Sequence, residues 1–271
     1  MVRSLWTAAS GMIAQQTNVD TIANNLANVN TTGYKTEVAE FKTLLYQNLQ
    51  TKTTTANGAN KPIGAQVGLG VRNSAINSIF KQGSLYESNS SSSFAIQGQG
   101  FFAVQGEDGE TCYTRNGNFL WAMDGDNITL STTDGHYVLD SNGNKITFSN
   151  DYVSSQIVIT SDGTIGYPDE TNNVQSLGIQ IGLFQFQNPS GLQKLEASMY
   201  SVTEASGQAL NEATNDQLVK SSVAQGYLEG SNVQVADEMV NLIVAQRAYE
   251  MNSKAIQTTD DMMGQANNLR R

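Results

Sequence analysis

The sequence predicts an α+β protein. Long N- and C-terminal helices pack together in a coiled-coil-like domain, a central antiparallel β domain lies between them, and extended connectors join the parts. Three observations carry this. Residues 3–29 hold an apolar heptad. Residues 233–269 run without proline and carry a broad apolar stripe. From about 94 to 200, short alternating segments are punctuated by Asp-Gly and Asn-Gly pairs.

The N-terminal helical segment, 1–45, is defined by Leu5, Ala8, Met12, Gln15, Val19, Ile22, Leu26 and Val29, in alternating steps of three and four. All but Gln15 are apolar. Ser10, Gln16, Asn18, Asn24, Asn25 and Asn28 make the opposite side polar. At ~1.5 Å per residue such a helix is about 40 Å long. Gly33, in TTGYK, is a plausible stop, because glycine tolerates the left-handed conformation that ends helices.

Residues 46–93 read as an extended connector. Its first part, YQNLQTKTTTANGANKPIGAQ (46–66), has no period and includes Gly58 and the Thr53–Thr55 run. The β domain, 94–200, contains FAIQGQGFFAVQ, YTRNGNFLWAM, NITLST and QIVITSDGTIGY. Its turn pairs are Asp108-Gly109, Asn116-Gly117, Asp124-Gly125, Asp134-Gly135, Asn142-Gly143 and Asp162-Gly163. Residues 201–230 return as a second aperiodic segment. The C-terminal helix, 231–271, places Met239, Leu242, Ile243, Gln246, Tyr249, Ile256 and Met263 on one stripe. Ser231 and Asn232 can cap it, and Asp237 and Glu238 suit the positive end of its dipole.

The stretch ANNLANVN crowds Asn24, Asn25, Asn28 and Asn30 onto the end of the first helix. Asparagine is a mediocre helix former because its amide competes with the backbone. Amides at i, i+1 and i+4 can hydrogen-bond to adjacent helices or to backbone, and they avoid a dry core. They therefore predict a helix that packs against several neighbours.

Composition removes whole classes of function. The 271 residues carry a formal charge of −10, with 15 basic residues scattered among 25 acidic ones. No basic patch is available for nucleic acid. Cys112 is the single cysteine, so an intrachain disulfide is ruled out. No segment reaches the roughly 20 continuous apolar residues of a membrane span. MVRSLWTAASGM is not followed by the apolar run and cleavage site of a signal peptide.

Enzyme chemistry finds little support. His136 is the only imidazole and sits in TDGHYVLD, directly after a turn. With Cys112 it makes too few ligands for zinc. The acidic pairs Asp124/Asp126 and Asp260/Asp261 fall in a turn and on a helix, where solvated carboxylates are the norm. Asp140, Asn142, Asn144 and Asp151 have partial calcium-loop spacing, but Lys145 stands where an EF-hand needs glycine. The sequence predicts no cofactor and no metal.

Four stretches resemble one known family. ANNLANVNTTGYK is similar to the N-terminal signature of flagellar rod and hook proteins, the axial family of the bacterial flagellum. FAIQGQGFFAV and YTRNGNF resemble its two β-domain motifs. GYLEGSNVQVADEMVNLIVAQRAYEMNSKAIQTTDDMM resembles its C-terminal signature, in the distal-rod form. The sequence departs from the pattern at Gly230, and 121–150 matches nothing specific, so a proximal-rod or rod-like paralogue stays open.

The resemblance implies a structural subunit without a substrate. Subunits polymerise into a hollow drive shaft that passes torque from motor to hook. The implied partners are other copies, neighbouring proximal-rod and hook proteins, and surrounding ring proteins. The implied location is the flagellar basal body in the cell envelope, reached through the flagellar type III apparatus. On this reading Leu5, Met12, Val19, Ile22 and Leu26 pack the innermost tube with Met239, Leu242, Ile243, Tyr249 and Ile256. Asn24, Asn25 and Asn28 join helices of adjacent subunits, and Gly33 turns the chain outward. A competing class is a β-rich secreted adhesin with a helical stalk, which accounts for the composition but not for both terminal motifs.

Overall fold

A computed structural model describes residues 2–50, 64–107, 109–150, 152–169, 173–215 and 217–269. The architecture is α+β. The chain divides into two units, one made of residues 1–27, 37–77 and 234–271, the other of 28–36 and 78–233.

The first unit contains both long helices, α1 (Val2–Ala27) and α2 (Val235–Asn268), which pack against each other. The predicted α1 heptad is covered, with Ala8 and Ile22 buried and Leu5, Met12, Gln15, Val19 and Leu26 half-buried, but Ala14, Thr21 and Asn25, which lie off the heptad, are buried as well. On α2 the covered residues are mostly small or polar. Ala245 and Thr259 are buried, and Leu242, Ala248, Asn252, Ile256 and Met263 are half-buried. A Cβ on Gly11 would lie 2.9 Å from Asn252 Nδ2, so the absent side chain is what permits this close approach.

The N-terminal helix ends well before residue 45. Helix α1 stops at Ala27, and Glu37–Thr43 is a strand. Thr31 donates its N–H to Asn28 O (3.2 Å) and its hydroxyl to Asn28 Oδ1 (3.0 Å), bonds that belong to a turn. The β-branched and aromatic residues of EVAEFKT suit a strand, and Glu37–Thr43 pairs with Val71–Ser78. A second ribbon joins Tyr46–Gln50 to Ala65–Gly68 in antiparallel register. Much of the described part of the connector expected over 46–93 is thus strand. Its middle, 51–63, with Gly58 and the Thr53–Thr55 run, lies outside the described residues, as do Asp108, Asp151 and the last two residues of the C-terminal segment.

The second unit is the β domain, and it is larger than the expected 94–200. Ser222–Gln225 pairs with Phe94–Gln97, and Tyr227–Glu229 pairs with Leu85–Glu87. These partners lie more than a hundred residues apart in sequence, so no local period could reveal them. The main sheet has six short strands, with Phe101–Gln105 and Thr111–Thr114 at its centre. Strand Phe101–Gln105 is buried on both faces. Phe102 and Val104 point into a core with Phe94, Ile96, Phe119, Leu130 and Ile181. Phe101 and Ala103 point into a second cluster with Tyr113, Phe186 and Tyr200. Alternation of period two on a strand covered twice explains the continuous apolar run FFAV. The second cluster is aromatic, with edge-on ring pairs such as Tyr113–Phe186 at 4.9 Å and Phe101–Phe186 at 5.4 Å.

Five of the six expected turn glycines have positive φ: Gly109, Gly125, Gly135, Gly143 and Gly163. Asn116-Gly117 is different. A Cβ on Gly117 would collide with Phe94 O, and Gly117 O accepts the Phe94 N–H at 2.9 Å. This glycine serves close backbone approach.

Replacing Phe102, which is fully buried, by alanine should destabilise the β unit by about 3–5 kcal/mol. Denaturant unfolding followed by near-ultraviolet circular dichroism checks this; a loss below ~1 kcal/mol would contradict the core assignment.

Candidate functional site

The four sequence motifs converge on one buried ionic cluster in the β unit. Lys35, from TTGYK, places Nζ 2.6 Å from Glu229 Oε1, from GYLEGSN. Arg115, from YTRNGNF, places Nε 3.2 Å from Glu229 Oε2. All three side chains are at most 3% exposed. The rest of the coordination is backbone. Lys35 Nζ donates to Lys81 O at 3.0 Å, and Gly83 N–H donates to Glu229 Oε1 at 2.9 Å. Arg115 donates to Gly98 O at 2.9 Å and to Gly100 O, both from FAIQGQGFF. Its guanidinium also lies over the Phe101 ring, 5.6 Å from the centroid.

Two cations share one carboxylate here. Burial pushes the Lys35 ammonium below its usual pKa; Glu229 opposes that shift and Arg115 adds to it. Carbonyl oxygens of Gly98, Gly100 and Lys81 offset the surplus positive charge. Such a cluster is strongly coupled, because removing one partner leaves an uncompensated buried charge.

The surrounding backbone is held by the same motifs. Asn232 Oδ1 accepts the Thr36 N–H and the Thr36 hydroxyl, each at 2.7 Å. Its amide donates to Ile79 O (2.9 Å) and Lys81 O (3.0 Å). Gly33 has φ +70 and donates its N–H to Glu229 O at 2.8 Å. A Cβ on Gly33 would lie 2.7 Å from Asn116 N and 2.8 Å from the Arg115 carbonyl carbon. Gly33 is therefore a packing and turn residue six positions beyond the helix end, where the sequence suggested the stop itself. Asn232 clamps three segments of the β unit, where a helix cap was expected.

The other predicted residues belong to the helical unit. Asn25 is 1% exposed and engaged within the chain. Its Oδ1 accepts the Glu37 N–H at 2.9 Å, and its Nδ2 donates to Glu37 O at 2.8 Å and to Glu238 Oε2 at 3.3 Å. The expectation that Asn25 bridges adjacent subunits is corrected: a buried amide is satisfied by the nearest backbone, here a strand edge. Asn24 is exposed and donates to Glu37 Oε2 at 3.5 Å, and Asn28 closes the turn after α1. On α2, Leu242 and Ile256 lie on the covered side. Met239 (53%), Ile243 (56%) and Tyr249 (44%) are exposed.

The residues weighed for chemistry have ordinary structural roles. Cys112 is buried, and burial first, with Glu110 second, pushes its thiol pKa up, away from thiolate reactivity. Asp140 Oδ1 accepts the N–H groups of Asn142 and Asn144, both at 2.8 Å, as a hairpin turn requires. No helix among the described residues is long and apolar enough to cross a membrane.

The same motifs are found in known proteins. Profiles described as flagella basal body rod protein, flagellar hook protein FlgE/F/G D1 domain and flagellar basal body rod FlgEFG protein C-terminal match residues 5–35, 95–167 and 224–269. The flagellar basal-body rod protein FlgG of Borreliella burgdorferi is 44% identical over 272 residues, covering 100% of both chains. The chain belongs to the flagellar basal-body rod family. FlgG of Agrobacterium fabrum is 43% identical over 263 residues, covering 96% of this chain and 97% of its own. This is a family of structural distal-rod subunits in the flagellar basal body, not of enzymes. Full-length matches of this kind favour neither the adhesin nor a rod-like paralogue. The flagellar hook protein FlgE2 of Helicobacter pylori has a TM-score of 0.24 and 17% identity over 65% of this chain and 47% of its own, a likeness too slight to add to the assignment.

Sequence reasoning missed Lys35, Arg115 and Glu229 as a set. Each stands inside a quoted motif, but its neighbours do not mark it: Lys35 lies between Tyr34 and Thr36, and Arg115 between Thr114 and Asn116.

Glu229→Gln should destabilise the β unit by about 3–5 kcal/mol at pH 7. Without the carboxylate, the folded-state pKa of Lys35 falls further below its unfolded value. The unfolded state then binds more protons, so the variant's stability rises with pH up to the unfolded lysine pKa. Urea unfolding from pH 7 to 10 should show the deficit shrinking; a constant or growing deficit would contradict the cluster's assigned role.

Proposed function

We propose that this rod-family chain polymerises through its helical unit into a hollow tube, the drive shaft that passes torque from motor to hook. One observation carries the reading: the helices that pack on each other leave large apolar side chains in water. Trp6 is 72% exposed, Ile13 67%, Val244 62% and Met251 66%. A soluble monomer seldom leaves so much apolar surface uncovered on one element pair. Helices related by head-to-tail, non-closing contacts form a helical filament and cover such surface.

In the tube, Leu5, Met12, Val19, Ile22 and Leu26 pack a coiled-coil-like layer with Leu242 and Ile256. Met239, Ile243 and Tyr249 reach neighbouring copies. Asn24 lies at the solvent face, where a neighbour's helix can meet it. Asn25 holds α1 to the strand after it and shapes that surface from within. Neighbouring proximal-rod and hook proteins cap the tube, ring proteins surround it, and the flagellar type III apparatus exports the subunits. The polymer has no catalytic group, cofactor or small-molecule substrate.

The test is assembly in vitro. Concentrated protein should form straight tubes in negative-stain images. Ile243→Glu, a change at an exposed site, should abolish tubes while leaving the melting of the β unit unchanged. Normal tubes from this variant would contradict an α2-mediated assembly. A second expectation concerns Asn25. Asn25→Ala removes the two bonds from its amide to the Glu37 N–H and carbonyl, so it should loosen the monomer's helical unit by about 1–3 kcal/mol. Unchanged hydrogen exchange of α1 would show that the amide bonds are dispensable.

A further inference from the structure

The two helices each carry a second apolar line, turned away from the face they share. On α1, Trp6, Ile13, Asp20 and Ala27 recur at seven-residue intervals, flanked by Ala9, Gln16 and Ala23. On α2, Val240, Val244, Arg247, Met251 and Met262 form a line, with Ala255 and Thr258 between the last two. At about 100° per residue, this α2 line lies roughly 130° around the axis from Ala245 and Ile256. The large apolar members are in water: Val240 is 59% exposed and Met262 51%, alongside Trp6, Ile13, Val244 and Met251. Asp20 is exposed, and Arg247 is 73% exposed.

Each line holds a single charge, and the two charges have opposite sign. Among the described residues, Arg247 pairs with Glu250 of its own helix, by one Nη1 contact of 2.9 Å at an exposed site. A pair of that kind contributes little, and the guanidinium fork has further donors.

The register of the helices says where these lines would meet. Within the chain, Asn25 meets Glu238, and Gly11 faces Asn252. Both fix one antiparallel alignment, in which Asp20 stands level with Ile243. Copies related by a screw axis along the helices keep every α1 antiparallel to every α2. A shift of about one helical turn (~6 Å) then brings Asp20 of one copy level with Arg247 of the next. The same shift sets Ala27 against Val240 and Trp6 within one residue of Met262, while Ile13 falls level with Lys254, about three residues from Met251. One displacement thus brings the opposite charges level and sets apolar residues against each other at both ends of the lines.

We propose that the second line of α2 is the seat for α1 of a neighbouring copy, with the Asp20–Arg247 ion pair setting the axial register between subunits. This rests on the rod-subunit reading and adds the surface, the partner and the register-determining residues. A charge pair inside an apolar helix seam penalises any shift that would leave either charge facing apolar side chains.

The experiment is a charge exchange in the full chain. Asp20→Lys and Arg247→Glu use good helix formers at exposed sites, so far-ultraviolet circular dichroism of the monomers should not change. Each single variant should raise the critical concentration for tube formation, by sedimentation and negative stain, at least tenfold. The double variant should return it to within about threefold of the unmutated protein. Singles that polymerise normally, or a double variant no better than the worse single, would overturn the pairing. Absence of tubes from the unmutated protein would overturn the rod-subunit reading itself, and this inference with it.

Discussion

The β unit depends on a carboxylate shared by two buried cations. Glu229 draws Lys35, Arg115 and the Gly83 N–H to one point. Those groups come from sequence positions spread over nearly two hundred residues, so a single side chain fixes the relative placement of four segments. An apolar cluster could hold them more cheaply, but less specifically. Apolar side chains tolerate sliding, whereas buried ions bonded to fixed backbone groups favour one arrangement. In this unit the ionic cluster and the Asn232 bonds hold residues 33–36 beside 79–83 and 229–232.

The helical unit follows a different logic. Its shared face is narrow and contains Gly11, Ala245, Asn252 and Thr259, so the helices come close while burying little apolar surface. The larger residues, among them Trp6, Ile243, Val244 and Met251, are left outside. A helix pair with so small a private core gains most of its stability when other helices cover it. The division of labour is physical: a β unit with two cores and a buried charge cluster is complete within one chain, whereas the helical unit has surface left to bury.

Much of the fold was legible because its signals are local. The seven-residue spacing of α1 identified part of its covered face, missing Ala14, Thr21 and Asn25, and Asp-Gly and Asn-Gly pairs identified five of six turns. What was not legible depended on partners distant in sequence. The strands at 85–87 and 222–229 find their hydrogen bonds across more than a hundred residues. The α2 stripe was only partly placed: Leu242, Ile256 and Met263 are covered, but Met239, Ile243 and Tyr249 are exposed, and Ala245, Asn252 and Thr259 take up the rest of the covered side. Asn25 was correctly marked as unusual, but its partner was the Glu37 backbone, at the start of the strand that follows the turn after α1. The ionic cluster was hidden because Lys35, Arg115 and Glu229 are each unremarkable alone; only the fold makes them a set.

The central claim is that the outward apolar faces of α1 and α2 become interior on assembly. The direct measurement is thiol accessibility at Val244→Cys, with the native Cys112 buried and slow to react. In the monomer the introduced thiol should label with a maleimide as a solvent-exposed residue does. In assembled tubes its labelling should fall at least tenfold. Equal labelling in monomer and tube would show that this face stays in water, and would contradict the account.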